Sequence, residues 1–187
     1  MKIDQKGIKE FLNVIATKRN VNIYFDDCRW NKTENQRLID ECRLSEPNWY
    51  IIDVDVSSAP ATEEYLTKWF IKKLNDQLIQ FRFPYRMEEG DTLDDILEKL
   101  EHYLDRPALL FVYPFIAEVS SVNELRNASD VQKMILSSIR KFIEMEDLLW
   151  LAIVIGSSHP VNQIDLFPYS NLDERHVQFI TIENKGD

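Results

Sequence analysis

The sequence predicts a three-layer α/β sandwich that is built on a five-stranded, mostly parallel sheet. Five short runs of apolar, β-branched and aromatic residues alternate with segments in which apolar residues recur at helical spacing. Strands that are separated by helices need crossover connections, so they lie parallel in one sheet with helices on both of its faces. The runs 108–113 and 148–155 are apolar almost throughout, as is typical of strands that are buried on both faces.

Five strands and five helices are predicted along the chain. Strands are predicted at 21–25, 49–56, 108–113, 148–155 and 177–182. Helices are predicted from repeating apolar positions within 8–15, 37–42, 62–74, 92–104 and 129–143. Thr62 is suited to begin the third helix, and Ser129, followed by Gln132, is suited to begin the fifth. In the third helix the spacing predicts that Tyr65 and Trp69 point into the core.

Composition and net charge make several classes of function improbable for this protein. The chain has 187 residues and is predicted to form a single domain, 1–187. Its formal net charge of −10 disfavours generic binding to nucleic acid or to an anionic membrane. Cys28 and Cys42 are too few for a disulfide framework. The sequence shows neither a signal-peptide pattern nor an apolar run of membrane-spanning length, so a cytoplasmic location is expected.

The segment after the first predicted strand contains part of a phosphate-binding pattern. A P-loop reads G-x-x-x-x-G-K-[ST], and Lys32 and Thr33 occupy its last two places. Asp26 and Asn31 stand where its two glycines belong, and Asp27 adds a second carboxylate. Glycine lets backbone N–H groups close around phosphate oxygens, whereas carboxylates repel them. We therefore interpret the segment as a phosphate loop that has lost its function.

With this segment and the five strands in place, the chain resembles the core of a P-loop ATPase of the AAA+ type. More closely, it resembles the STAND branch of signal-transducing and prokaryotic defence ATPases, as a pattern over residues 8–182. In that family the third strand ends in the two Walker B acids, and Tyr113 and Pro114 occupy these positions here. The fourth strand of the family ends in a polar sensor residue, a place that Ser157 fits.

The resemblance implies an inactive relative of these enzymes. The first Walker B acid helps to hold Mg²⁺ and the second activates water, and neither tyrosine nor proline does this. The family's helical lid and winged-helix region are not expected, because only 183–187 follow the fifth strand. We therefore expect no catalytic residue, metal site or cofactor, with Lys32 and Thr33 as vestiges of a nucleotide site. The expected function is that of a non-catalytic scaffold or regulatory module in a prokaryotic signalling or defence system.

Two other functions stay open at this point. Lys32 and Thr33 could serve a nucleotide-binding switch that does not hydrolyse ATP. Alternatively, a Mg²⁺-dependent receiver-like domain or a metal-dependent enzyme could use an acidic site made of four aspartates. These are Asp26, Asp27, Asp53 and Asp55. The last two share one face of their strand, although acids at a strand's end more often face water or cap backbone groups.

Two stretches have the residue types of protein interfaces. Aromatic residues alternate with arginine between the third and fourth helices, and Trp30 lies in the altered phosphate loop. The residues of the first stretch are Phe81, Arg82, Phe83, Tyr85 and Arg86. They are equally consistent with a loop that packs onto the sheet. Protein partners, homo-oligomers among them, are therefore expected, whereas nucleic acid and membrane are not.

Overall fold

The helices and the strands of the main sheet follow one another in the order that the sequence predicts. The computed structural model of the protein describes residues 2–3, 5–17, 19–25, 32–116, 118–119, 126–127, 129–145, 148–165, 172–182 and 184–185. The strands of the main sheet are β1 (Val21–Phe25), β2 (Tyr50–Asp55), β3 (Ala108–Phe115), β4 (Leu151–Ser157) and β5 (Gln178–Ile182). The helices are α1 (Gln5–Ile15), α2 (Lys32–Ser45), α3 (Glu63–Gln80), α4 (Leu93–Tyr103) and α5 (Asp130–Ile143).

The five strands form one parallel sheet in the order β2-β3-β4-β1-β5. Consecutive strands β1 and β2 are therefore separated in space by β3 and β4. Because all five strands point the same way, their carboxyl ends meet at one edge, where α2 begins. In open parallel sheets this carboxyl edge is where ligands bind. The predicted fold class, a three-layer α/β sandwich on a parallel five-stranded sheet, is confirmed.

Shorter elements flank the main sheet. The two-residue strands Lys2–Ile3 and Asn184–Lys185 pair antiparallel with each other. A second small sheet contains three two-residue strands: Glu118–Val119, Arg126–Asn127 and Ile164–Asp165. Short 3₁₀ turns at Val56–Ser58 and Val161–Gln163 follow β2 and β4.

Helices cover both faces of the sheet and bury two apolar clusters. On one face α3, α4 and α5 bring Phe70, Leu97 and Ile139 against alternate side chains of β3 such as Leu110. On the other face α1 and α2 pack on the intervening side chains, and the rings of Phe11 and Phe111 meet edge to face at 6.0 Å. Each fully buried side chain of this size contributes about 1.5–3 kcal/mol to folding. The predicted burial of β3 and β4 on both faces is confirmed.

The helix starts agree only partly with the capping patterns of the sequence. Ser129 accepts a hydrogen bond from the backbone N–H of Gln132, as predicted. Thr92 and Asp95 form a reciprocal capping box that holds the first turn of α4. Thr62 stands at the start of α3 but makes no side-chain cap hydrogen bond.

The predicted inward position of Tyr65 is wrong. Leu66, Phe70 and Leu74 recur four residues apart and form the buried face of α3. Tyr65 precedes Leu66 by one residue, about 100° around the helix, and its side chain is 63% exposed. Trp69 lies at the border and is only partly buried against the core.

The fourth strand begins three residues later than predicted. The apolar run from Leu148 onward predicted a strand there, but β4 starts at Leu151. The backbone N–H groups of Leu149, Trp150 and Leu151 instead donate hydrogen bonds to the carboxylate of Glu101 on α4. The N–H groups of this segment therefore bond to a helix, while the carbonyl of Trp150 accepts a hydrogen bond from the backbone N–H of Ala108 in β3.

Candidate functional site

The candidate site lies at the carboxyl edge of the sheet, where α2 begins. Lys32 and Thr33, predicted as the end of a former phosphate loop, stand in the first turn of α2. The side chain of Lys32 is exposed. Residues 26–31 of that loop, with the predicted site residues Asp26, Asp27 and Trp30, lie outside the described residues.

Lys32 is paired with an aspartate at the end of β2. Its Nζ atom donates a hydrogen bond of 2.7 Å to Asp55 Oδ2. The other oxygen, Asp55 Oδ1, accepts hydrogen bonds from the backbone N–H and the hydroxyl of Ser57. Partial burial raises the pKa of Asp55, but the hydrogen bonds from Lys32 and Ser57 outweigh this and hold it below its ordinary value. The hydrogen bond to Asp55 and the attraction of its charge raise the pKa of Lys32.

The second aspartate of β2 is held by two different donors. Arg43, in the last turn of α2, donates to Asp53 Oδ1 at 3.0 Å, and the hydroxyl of Tyr113 donates to Asp53 Oδ2 at 3.1 Å. The backbone N–H and carbonyl of Asp53 both bond to the side-chain amide of Gln77 on α3. Because β2 is an edge strand, Gln77 satisfies backbone groups that a further strand would otherwise pair.

All four carboxylate oxygens of Asp53 and Asp55 therefore accept hydrogen bonds from groups of the protein itself. Both side chains point toward α2, as their two-residue spacing predicts. Within the described ranges, no group of three or more His, Cys, Asp and Glu side chains is placed to hold a metal ion. The arrangement neutralises two acids by internal contacts.

The end of β3 presents a phenol and an imino acid at the two positions where the resemblance to P-loop ATPases predicted the Walker B acids. Tyr113 is buried, and the peptide bond between it and Pro114 is cis. Burial, followed by the nearby negative charge of Asp53, raises the pKa of Tyr113 above its usual range. The phenol is thus held neutral, and β3 contributes no carboxylate at either position.

The polar residue at the end of β4 belongs to a buried network. Ser157 Oγ donates to the carbonyl of His159 at 2.6 Å and accepts from Asn22 Nδ2 at 2.8 Å. Asn22, in the middle of β1, also donates to the carbonyl of Ile155 and accepts from the backbone N–H of Val161. The predicted sensor serine is therefore fully engaged in joining β1 to the segment after β4.

The predicted interface stretch divides into buried and exposed residues. Phe83 is 2% exposed, and its ring meets that of Tyr50 edge to face at 5.5 Å, so it belongs to the core. Tyr85 is 45% exposed and stacks on Tyr103. Three further residues complete the stretch. Phe81 is partly buried, whereas Arg82 and Arg86 are exposed.

Several residues of the site were not singled out by the sequence. Asn22 carried a recognisable signal, since an amide within the apolar run of β1 needs partners in the core. Arg43 and Gln77 reach Asp53 from two different helices and carried no local signal. Asn35, in the first turn of α2, is completely buried, and neither polar atom of its side chain has a hydrogen-bond partner among the described residues.

Comparison with known proteins finds solved structures with a similar fold. No protein-family model matches the sequence, and no curated protein matches it. Among solved structures, a chain of the Drosophila ORC bound to DNA superposes with a TM-score of 0.56 at 7% sequence identity. ORC is an AAA+ ATPase. This chain has an AAA+-like fold.

The structural likeness covers nearly all of this chain but only a small part of the ORC chains. The match to ORC bound to DNA covers 96% of this chain and 29% of that one. A chain of the Drosophila ORC bound to AT-rich DNA and Cdc6 matches with a TM-score of 0.56 at 8% identity, covering 97% and 28% respectively. At these identities the likeness shows the fold alone. In the part of the chain that is described, no helix has the length and apolar character to span a bilayer.

Proposed function

We propose that this protein is a non-catalytic protein-interaction or regulatory module, derived from a STAND-type ATPase whose nucleotide site has been lost. The observation that carries the proposal is that described polar groups at the carboxyl edge bond to one another, above all Tyr113 to Asp53. Lys32 is bonded to Asp55, and Tyr113 stands at the Walker B position and is bonded to Asp53. Lys32 and Tyr113, which the resemblance aligns with the groups that meet phosphate and Mg²⁺ in an active enzyme, each bond instead to an aspartate of β2.

The chemistry of these contacts supports the proposal. Hydrolysis of ATP needs a cradle for the phosphates, a carboxylate for Mg²⁺ and a group that orients water. The carboxylates of β2 that could replace a missing Walker B acid are engaged by Arg43, Tyr113, Lys32 and Ser57. A phosphate approaching Lys32 would also meet the charge of Asp55.

The Lys32–Asp55 pair does not by itself exclude a ligand. The side chain of Lys32 is 76% exposed, and exposed ion pairs are screened and weakly held. The proposed loss of catalysis therefore rests on the buried phenol of Tyr113 and on the hydrogen bonds that Arg43 and Tyr113 donate to Asp53. Loss of the Lys32–Asp55 ion pair alone is therefore not expected to restore catalysis.

Release of inorganic phosphate from Mg²⁺-ATP tests the proposed loss of catalysis. We expect the wild-type rate to equal that of the Lys32→Ala variant and of buffer. Lys72→Ala, which removes an exposed lysine of α3, is the matched control. Turnover that disappears in Lys32→Ala and persists in Lys72→Ala would overturn the proposal.

Nucleotide binding without hydrolysis is a second candidate, and one observation favours it. Asn35 is buried in the first turn of α2, and its side-chain amide has no hydrogen-bond partner in the described part of the chain. A buried amide without partners costs about 1–3 kcal/mol, a cost that a bound polar ligand nearby could offset. Asn35 also shares its helix face with Leu38 and Ile39, which pack into the core.

Thermal denaturation of the Asn35→Leu variant separates the two candidates. If the amide serves only the fold, leucine raises the melting temperature and Mg²⁺-ATP changes neither protein. If a nucleotide uses the amide, millimolar Mg²⁺-ATP raises the wild-type melting temperature and the variant loses that shift.

The cellular setting is the remaining part of the proposal. The resemblance to STAND proteins favours a cytoplasmic role in prokaryotic signalling or defence. Protein partners fit this role better than nucleic acid does, because the net charge is −10. The proposed defence role is tested by infecting source cells that have or lack the gene with a panel of phages and comparing their growth.

A further inference from the structure

The two edges of the main sheet differ in how their outer backbone groups are satisfied. At the β2 edge, the side-chain amide of Gln77 bonds to both backbone groups of Asp53. The opposite edge is β5, which pairs with β1 alone among the described strands. No hydrogen bond between described residues covers the outer side of β5 in a similar way. An edge strand whose backbone groups are unpaired is a template on which another strand can pair.

The register of β5 against β1 identifies the backbone groups that face outward. The N–H of Gln178 donates to the carbonyl of Asn20, so the backbone groups of Gln178 and of every second residue after it face β1. The N–H and carbonyl groups of Phe179 and Thr181 therefore point outward in the plane of the sheet. In the described part of the chain, no hydrogen bond involves these groups.

The open part of this edge is short. Beyond the end of β5, the segment Asn184–Lys185 already pairs antiparallel with Lys2–Ile3. Near the same end α1 comes close to the edge, since a Cβ atom at Gly7 would lie 3.5 Å from the carbonyl oxygen of Thr181. An added strand therefore has most room beside Phe179 and the N–H of Thr181, toward the start of β5.

A cavity adjoins this part of the edge. Its volume is about 770 Å³, and Phe179, which carries outward-facing backbone groups, is one of its lining residues. Ile143, the last residue of α5, lines it as well, and Asn20 and Gln178 contribute side-chain amides. The edge and the cavity are therefore continuous through Phe179. The volume is in the range of ligand pockets and is sufficient for a large side chain.

The described charges at the cavity balance each other. The charged residues that line it, together with their ion-pair partners, are Arg19, Arg140, Arg175, Glu144, Asp173 and Glu174. With His176 neutral, these positive and negative groups are equal in number. The strand β5 itself has no charged residue. The backbone groups of the edge and the ring of Phe179, and not an excess of charge, therefore decide which partner fits.

We infer that the outer edge of β5 binds an extended segment of a partner protein by strand addition, and that an aromatic side chain of this segment enters the cavity beside Phe179. This inference rests on the proposed interaction role and specifies the partner's chemistry. An extended backbone presents its groups to one side at every second residue, which matches Phe179 and Thr181. Tyrosine and tryptophan suit the cavity, because they join an apolar ring to a polar atom that the amides of Asn20 and Gln178 can meet.

A second copy of this chain fits the edge less well. The antiparallel register that satisfies the outward groups of two β5 strands is centred on Ile180. It places Thr181 of one copy opposite Phe179 of the other. Threonine is small for a cavity of about 770 Å³, which would stay largely unfilled. A segment with a larger side chain at that position fills more of it.

Selection from a random peptide library displayed on phage, followed by amide hydrogen exchange, tests the inference. We expect the enriched peptides to be strand-forming, to carry Tyr or Trp and to show no excess of either charge. In the free protein the N–H groups of Phe179 and Thr181 should exchange quickly. The synthetic peptide should slow both by about tenfold or more, whereas the N–H groups of Ile180 and Ile182, which face β1, should be protected with and without it.

A pair of variants at one position separates backbone pairing from side-chain contact. Thr181→Pro removes the outward N–H and leaves the hydrogen bonds between β5 and β1 in place, as proline on an edge strand allows. We expect it to weaken binding of the enriched peptide by about tenfold. Thr181→Val keeps the N–H and should bind as the wild type does. Circular dichroism and thermal denaturation establish that both variants are folded, and the exchange measurement on the wild type needs neither.

Each other outcome contradicts the inference. Enrichment of no peptide, enrichment of charged peptides only, or a bound peptide that leaves exchange at Phe179 and Thr181 unchanged would overturn it. Equal loss of binding in Thr181→Pro and Thr181→Val would do the same. A dimer in solution in which both amides are already protected would assign the edge to a second copy. ATP turnover would contradict the proposed function and leave the peptide result unaffected.

Discussion

The hydroxyl of Tyr113 donates a hydrogen bond of 3.1 Å to Asp53 Oδ2, across the pair formed by β2 and β3. This contact joins the residue at the predicted Walker B position of β3 diagonally to Asp53 of the neighbouring strand, since Asp55 lies opposite Tyr113 in the register. Together with the ion pair from Arg43, it gives both carboxylate oxygens of the partly buried Asp53 a donor. Burial and the negative charge of Asp53 raise the pKa of Tyr113, so the phenol stays neutral in this contact.

Removing this hydroxyl should destabilise the protein modestly. Tyr113→Phe keeps the buried ring but removes one donor to Asp53, which retains Arg43. We expect the free energy of unfolding, measured in urea, to fall by about 1–2 kcal/mol, since the lost hydrogen bond involves a charged acceptor. Tyr65→Phe is the control, because that ring is exposed. A loss below the error of the measurement would mean that the contact does not hold the edge together.

The pairing of Asp55 predicts a dependence of stability on pH. Its pKa in the folded protein lies below the ordinary value of 3.8, so ionised Asp55 stabilises the fold above that pH. The contribution is lost as the pH falls through the lower, folded-state pKa. The difference in unfolding free energy between wild type and Asp55→Asn should therefore be largest near neutral pH and shrink below about pH 4. Asp76→Asn on α3 is the control, and an equal difference for Asp55→Asn at all pH values would contradict the prediction.

Gln77 protects the open edge of the sheet. Its amide satisfies both the N–H and the carbonyl of Asp53, in place of a neighbouring strand. We expect Gln77→Ala to lower the unfolding free energy by about 1–2 kcal/mol and to promote association through β2. Light scattering during storage measures the association. Gln80→Ala, an exposed residue of the same helix, should change neither quantity.

Asn22 joins β1 to the segment that follows β4. In Asn22→Val the new side chain is well suited to a β-strand. It leaves the carbonyl of Ile155 and the N–H of Val161 without the hydrogen bonds that the amide of Asn22 makes to them. We expect a loss of about 2–4 kcal/mol in the free energy of unfolding, because buried groups lose their hydrogen bonds. Asn162→Val, on an exposed residue of the same segment, is the control. Equal stability of the two variants would show that the network is not needed for folding.

The fold could be predicted from the sequence because its signals are local. Apolar runs, helical spacing and the order of elements were sufficient for the strands at 21–25 and 108–113 and for the parallel sheet. The burial of Tyr65 was mispredicted because the aromatic residues of α3 were assigned to the core together, although Leu66, Phe70 and Leu74 alone fill its inner face. Propensity does not distinguish neighbouring positions on a helix whose two sides both carry aromatic residues.

The contacts of the candidate site could not be predicted, because they join residues far apart in the sequence. Asp53 and Asp55 were identified as acids on one face, but apart from Ser57 the donors to their carboxylates lie on α2 and β3. Which donor reaches which acid depends on the register of β2 against β3, in which Asp55 lies opposite Tyr113. That register arises from packing of the whole sheet and has no local sequence signal.

Calorimetric titration with Mg²⁺-ATP tests most directly the central proposal, that the former nucleotide site no longer functions. The account predicts no heat of binding at micromolar protein and millimolar nucleotide, and the same trace for wild type and Lys32→Ala. Micromolar binding by the wild type that Lys32→Ala abolishes and Lys72→Ala retains would contradict it.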